Sequence, residues 1–81
     1  MLPTPAQIRA ARHLATLSQR EIAAKTGLSI PTIKRIESER NLPVSADALD
    51  RVRRALEAAG VIFVEENGEG PGVRLRKGKI S

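Results

Sequence analysis

Apolar residues fall at helical spacing through most of the chain and switch to strand spacing near its end. Ile8, Ala11, Leu14, Ala15 and Leu17 recur every three or four residues, which puts them on the inner face of a helix expected to run to about Leu17. Its start is written in Thr4, Pro5 and Gln7. The threonine caps the first turn, proline is tolerated where an N–H has no intrahelical partner, and Gln7 closes a capping box. A second helix begins at Ser18, which forms another capping box with Glu21, and it turns Ile22 and Ala23 inward. Gly27 stands just past its last turn, where a left-handed backbone is easiest for a residue without Cβ. Leu28 then plugs the corner. Ser29 caps a third helix, expected over residues 30–38, with Pro31 in the first turn and Ile33 and Ile36 facing inward. Ile30, Thr32, Lys34 and Arg35 are left pointing wholly or partly outward.

Asn41, Pro43 and Ser45 mark a loop, and Ser45 caps a fourth helix with Asp47 in its first turn, where negative charge suits the helix dipole. Leu49, Val52, Ala55 (or neighbouring Leu56) and Ala59 share one face of it, with Arg51, Arg53, Arg54 and Glu57 mostly away from that face. Gly60 ends it. The period then becomes two. Residues 61–64 form a short β-branched and aromatic run, residues 67–72 a turn or loop, and residues 73–76 an alternation of apolar and basic side chains. The two runs are expected to pair as a hairpin, with Val61 and Phe63 on one face and Ile62 and Val64 on the other. A lone hairpin is unstable in water, so it must pack on the helices or join a partner. Both faces are apolar, which leaves two roles open: a lid on the helical core, or a homodimer interface. The expected organisation is a helical unit over residues 1–60, the hairpin over 61–77 and a frayed tail over 78–81. The fold class is mostly α: four helices with a C-terminal β-hairpin.

The stretch from Ser18 to Glu37 reads S-Q-x-E-I-A-x-x-x-G-L-S-x-x-T-I-x-x-I-E. With Gln19, Ala23, Gly27, Ser29, Ile33 and Glu37 in unbroken spacing, it resembles the helix-turn-helix of the XRE-like (phage-repressor/Cro-type) family. An ordinary helical hairpin with a glycine corner is the plainer alternative. The resemblance implies a third helix that enters the DNA major groove. It also implies a partly buried ion pair between Arg12 and Glu37 that clips the first helix to the third. Phosphate contacts are implied for Gln19 and Ser29, with Ile30, Pro31 and Thr32 nearest the base edges and Lys34 and Arg35 further along. Arg35 is the best candidate for direct readout, because a guanidinium can bond a guanine edge in bidentate fashion. Arg40 and Arg9 would add attraction that does not depend on sequence. The chain departs from the family's pattern at Glu39, which stands where basic residues and glycine are common. It departs again at Ile30 and Pro31, where polar side chains are usual.

Composition narrows the function classes. A chain of 81 residues is one small domain, marginal alone, so oligomerisation is expected. The net charge of +5 suits a polyanionic partner, although solubility alone would also account for it. With no Cys and one His, His13, there is no nucleophile–base set and no thiolate metal site. The acidic residues are scattered, and the glycines near Gly68 lack the ending of a phosphate-binding loop. No cofactor, metal or catalytic residue is expected. With no Trp or Tyr and one Phe, stacking platforms for single-stranded nucleic acid are absent. No apolar run approaches membrane-spanning length and no leader pattern opens the chain, so a cytoplasmic location is expected. Two readings remain. One is a sequence-specific, homodimeric transcriptional regulator, such as a repressor, on double-stranded DNA. The other is a protein-binding regulator, an antiactivator or antitoxin, that turns Ile30 and Pro31 toward another transcription regulator or a toxin.

Overall fold

The computed structural model describes residues 2–40 and 42–76. Its elements are α1 (Pro5–Leu14), α2 (Gln19–Thr26), α3 (Ile30–Ile36), α4 (Ala46–Ala58), β1 (Val61–Val64) and β2 (Gly72–Leu75). The result is a small, mostly helical domain that ends in an antiparallel hairpin. Each helix starts on a hydroxyl cap. Thr4, Ser18, Ser29 and Ser45 accept from the backbone N–H of Gln7, Glu21, Thr32 and Ala48, satisfying donors that have no helical partner. At Thr4 and Ser18 the side chains of Gln7 and Glu21 return the bond, so both capping boxes are complete.

The end of α1 differs from the sequence expectation. It stops at Leu14 rather than Leu17, because Thr16 takes a left-handed φ of 56°. The Thr16 N–H donates to the His13 carbonyl and the Leu17 N–H to the Arg12 carbonyl, each at 3.0 Å, which is the bonding of a Schellman turn. Leu17 packs partly against the core and Ala15 is buried, while Leu14, expected inside, is 38% exposed. Helix α3 also ends early, at Ile36 rather than residue 38, with Glu37 as its C-cap. On α4 it is Leu56, not Ala55, that is fully buried. Strand β2 begins one residue before the expected 73, since Gly72 pairs with Val64. The tail expected to fray, 78–81, lies outside the described residues, as does Lys77.

One apolar cluster joins the elements. Ile8 and Ala11 of α1, Ile22 of α2, Ile33 and Ile36 of α3, and Val52 and Leu56 of α4 meet in it, and so does Val61 of β1. In the register Val61↔Leu75 and Phe63↔Val73, these four side chains share the hairpin face that packs on the core, whereas Ile62, Val64 and Arg74 share the other. Gln7 fastens the far end of the sheet. Its Nε2 donates to the carbonyls of Val64 at 3.2 Å and Gly72 at 3.0 Å. The hairpin therefore rests on α1 and α4, while α2 packs on α3 and α4. No helix among the described residues is long and apolar enough to cross a membrane.

Candidate nucleic-acid interface

The corner between α2 and α3 is fixed by short-range chemistry. Gly27 adopts φ 78° and its N–H donates to the Ala23 carbonyl, which closes α2. The Thr26 hydroxyl donates to the Ile22 carbonyl at 2.8 Å and accepts from the Leu28 N–H at 3.2 Å, so the chain turns without leaving the corner amide unsatisfied. Ser29 then caps α3, and its hydroxyl also meets that of Thr32 at 2.9 Å. At the opposite helix end of this pair, Ser18 bonds Glu21 through its backbone N–H and hydroxyl, and these bonds hold the Glu21 carboxyl below its ordinary pKa.

Helix α3 is divided between core and solvent by its period. Ile33 and Ile36 are buried, which anchors the helix. Pro31, Lys34 and Arg35 are exposed; Ile30 and Thr32 are half-buried, and Ile30 packs partly against the core. Of the two apolar residues in the first turn, Pro31 is thus the one presented fully to a ligand. An open groove runs past this surface, lined by Pro31, Lys34, Arg35, Ser38, Arg40 and Leu42. Nothing in their sequence context marks Ser38 and Leu42; only the path of the loop after α3 brings them to the cations.

The orientation of α3 is set at its C-terminal end. Arg12 of α1 grips Glu37 as a fork, Nε to Oε2 at 2.7 Å and Nη2 to Oε1 at 3.0 Å. The two side chains are 14% and 4% exposed, so this is a pair largely withdrawn from water. Gln19, the first residue of α2, donates to the same carboxylate at 3.2 Å. Arg12 also donates to the Leu17 carbonyl at 3.1 Å, and Arg9 donates to the Glu37 carbonyl. One acidic side chain therefore gathers bonds from α1 and α2, and Arg12 ties it further to the turn between them. Buried in this way, its value lies in fixing geometry, since desolvation offsets much of the attraction. Arg9 faces Glu39 as well, at 3.5 Å. The structure thus brings Arg9, Arg12, Gln19 and Glu37 into one cluster behind α3. Ser29 and Arg40 stand apart from it, at the two ends of the exposed surface.

Charge is distributed unequally between α4 and α3. On α4, Arg51 pairs with Asp47 at 3.0 Å, Arg54 with Asp50 at 2.8 Å, and Arg53 with both Asp50 and Glu57. The hydrogen bond from Arg53 holds the Asp50 carboxyl below its ordinary pKa despite partial burial. Lys34, Arg35 and Arg40 have no acidic partner among the described residues. The positive charge of α4 is thus largely answered within the helix, whereas that of α3 and its loop is open to a polyanion. Among the described residues, no group of three or more His, Cys, Asp or Glu side chains is placed to hold a metal ion.

A family model described as a helix-turn-helix domain matches residues 6–61. No curated protein matches the chain. The matched span ends at the first residue of β1, so the rest of the hairpin lies beyond it. Because it takes in all four helices and the glycine corner between α2 and α3, the chain belongs to the helix-turn-helix domain family, a DNA-binding and non-enzymatic kind related to XRE-type domains.

Proposed function

We propose that the chain is a sequence-specific transcriptional regulator that binds double-stranded DNA through α3. The observation that carries this reading is the unanswered charge of Lys34, Arg35 and Arg40 along one exposed groove, in a chain whose α4 arginines are paired. In this reading Arg35 bonds a guanine edge and the Ile30–Pro31 turn meets thymine methyls, with Thr32 beside them. Lys34 and Arg40 meet phosphates, as do Ser29 and the start of α2. Gln19 serves there too, since its amide has a second N–H beyond the one given to Glu37. Arg9, already engaged by Glu37 and Glu39, adds only longer-range attraction. As a homodimer, the chain would set its two α3 helices on successive half-sites about 34 Å apart on one face of DNA. Such a regulator works in the cytoplasm.

The test is a shift assay on the gene's own upstream DNA over a range of salt. Affinity should fall steeply between about 50 and about 200 mM salt. Arg35→Ala should weaken binding by about 1–3 kcal/mol and relax preference at one base pair. Arg54→Ala, a control on α4, should leave binding nearly unchanged. Absence of binding at low salt contradicts the reading. A second reading rests on Pro31 and Leu42, which line the same groove as the cations and suit an apolar protein surface. There the chain would be an antiactivator or antitoxin. A double variant, Ile30→Glu with Pro31→Ala, that still captured the wild-type partner would remove that reading.

A further inference from the structure

Strand β2 leaves one edge of the sheet open. The Arg76 N–H donates to the Gly60 carbonyl at 2.7 Å, so in this register Gly60/Arg76, Ile62/Arg74 and Val64/Gly72 are the hydrogen-bonded pairs. The backbone groups of Val73 and Leu75 then point away from β1, and they have no hydrogen-bond partner among the described residues. An open edge of this kind is a template for another strand. Beside it runs the outward face of α1. Ala6 and Ala10 line a groove with Pro71, Gly72 and Val73, and Leu14, four residues beyond Ala10, is one of two large exposed hydrophobic residues among those described. Charge is separated along the hairpin: Glu65, Glu66 and Glu69 stand at the tip, Arg74 and Arg76 at the open end.

We propose that β2 pairs antiparallel with β2 of a second copy of this chain, across a two-fold axis at Val73, to make a four-stranded sheet. Antiparallel pairing carries the acidic tip of each hairpin toward the basic open end of the other, so the surface is complementary to itself. Charge also selects the register. An axis at Arg74 sets that residue against its twin, and an axis at Leu75 sets Arg74 against Arg76; like charges directly opposed are destabilising. An axis at Val73 sets Arg74 against Gly72, which has no side chain to obstruct it. The outward groups of Val73 then bond their counterparts, and Pro71, which has no N–H, keeps the ladder short. The same axis turns the Ala6–Ala10–Leu14 faces of two α1 helices toward each other, and small side chains allow close approach. Leu14 is then covered. No residue of α3 takes part, so the inference does not rest on the DNA-binding reading.

The pairing is small and belongs to the weak class of interfaces, so sedimentation equilibrium of the full chain is run up to about 100 μM. The wild type should reach about twice its 8.8 kDa. Ala10→Glu and Leu14→Glu should each return the mass to that of one chain, with far-ultraviolet circular dichroism unchanged. Val73→Pro removes the outward N–H that bonds its counterpart across the axis and leaves the bonds between β1 and β2 in place, so it should weaken the dimer at least about tenfold and decides the matter where another variant fails to fold. A monomeric wild type, whether because the chain's own tail covers the edge or for any other reason, overturns the proposal. So does a dimer of unchanged strength in a folded Val73→Pro, or one that survives in a folded Ala10→Glu.

Discussion

Thr16 holds a backbone conformation that its side chain resists. It is the non-glycine residue with positive φ among those described, and a branched Cβ makes the left-handed region unfavourable by about 1–2 kcal/mol. The Schellman bonds around it keep it there, and its side chain is exposed, so little packing depends on it. Thr16→Asn, which suits this conformation better, should stabilise the domain by roughly 0.5–1 kcal/mol and raise the melting temperature by about 4 °C. Thermal unfolding followed by circular dichroism checks this, and an unchanged or lower melting temperature would show that the turn is not strained. The same residue marks what could be read from the chain. The ends of α2 and α4 were legible because Gly27 and Gly60 stand where the backbone turns left-handed. A threonine in that role carries no such signal, so the apolar period reads on to Leu17 and puts Leu14 inside.

Among the elements, α3 is held at both ends by different means. Its start depends on the local chemistry of Gly27 and Ser29, and its end on contacts from α1 and α2 to Glu37. Arg12→Ala leaves Glu37 buried with only Gln19 on its carboxylate, and should destabilise the domain by about 3 kcal/mol, which lowers the melting temperature by about 10–20 °C. Replacing both partners by apolar residues of similar size, Arg12→Met with Glu37→Leu, should recover most of the loss, because no unpaired charge is then left inside. Equal melting temperatures for wild type and Arg12→Ala would show that the pair has no role in holding the helices. The caps, the corner and the hairpin follow from local sequence. The contacts that orient them do not. The bonds from Gln7 to the hairpin span more than fifty residues, and local reading assigns that side chain only to its cap. Gln19 reads as a phosphate contact, yet its bond to Glu37 emerges only once α1, α2 and α3 are packed.

At the scale of the whole molecule, the basic surface of α3 and the open edge of β2 belong to different elements, one inside the matched helical span and the other beyond it. The net charge of +5 hides this division, because the α4 arginines are answered by acids on their own helix and the hairpin carries both signs. Domain and surface are therefore separable by experiment. The most direct measurement is amide shift mapping of the isotopically labelled full chain, titrated with a duplex of the gene's upstream DNA at low salt. The largest shifts should fall on residues 29–40 and the first turn of α2, with α4 and the outer hairpin face little changed. Shifts centred on α4 or the hairpin, or none at all, would contradict the assignment of α3 as the DNA-binding element.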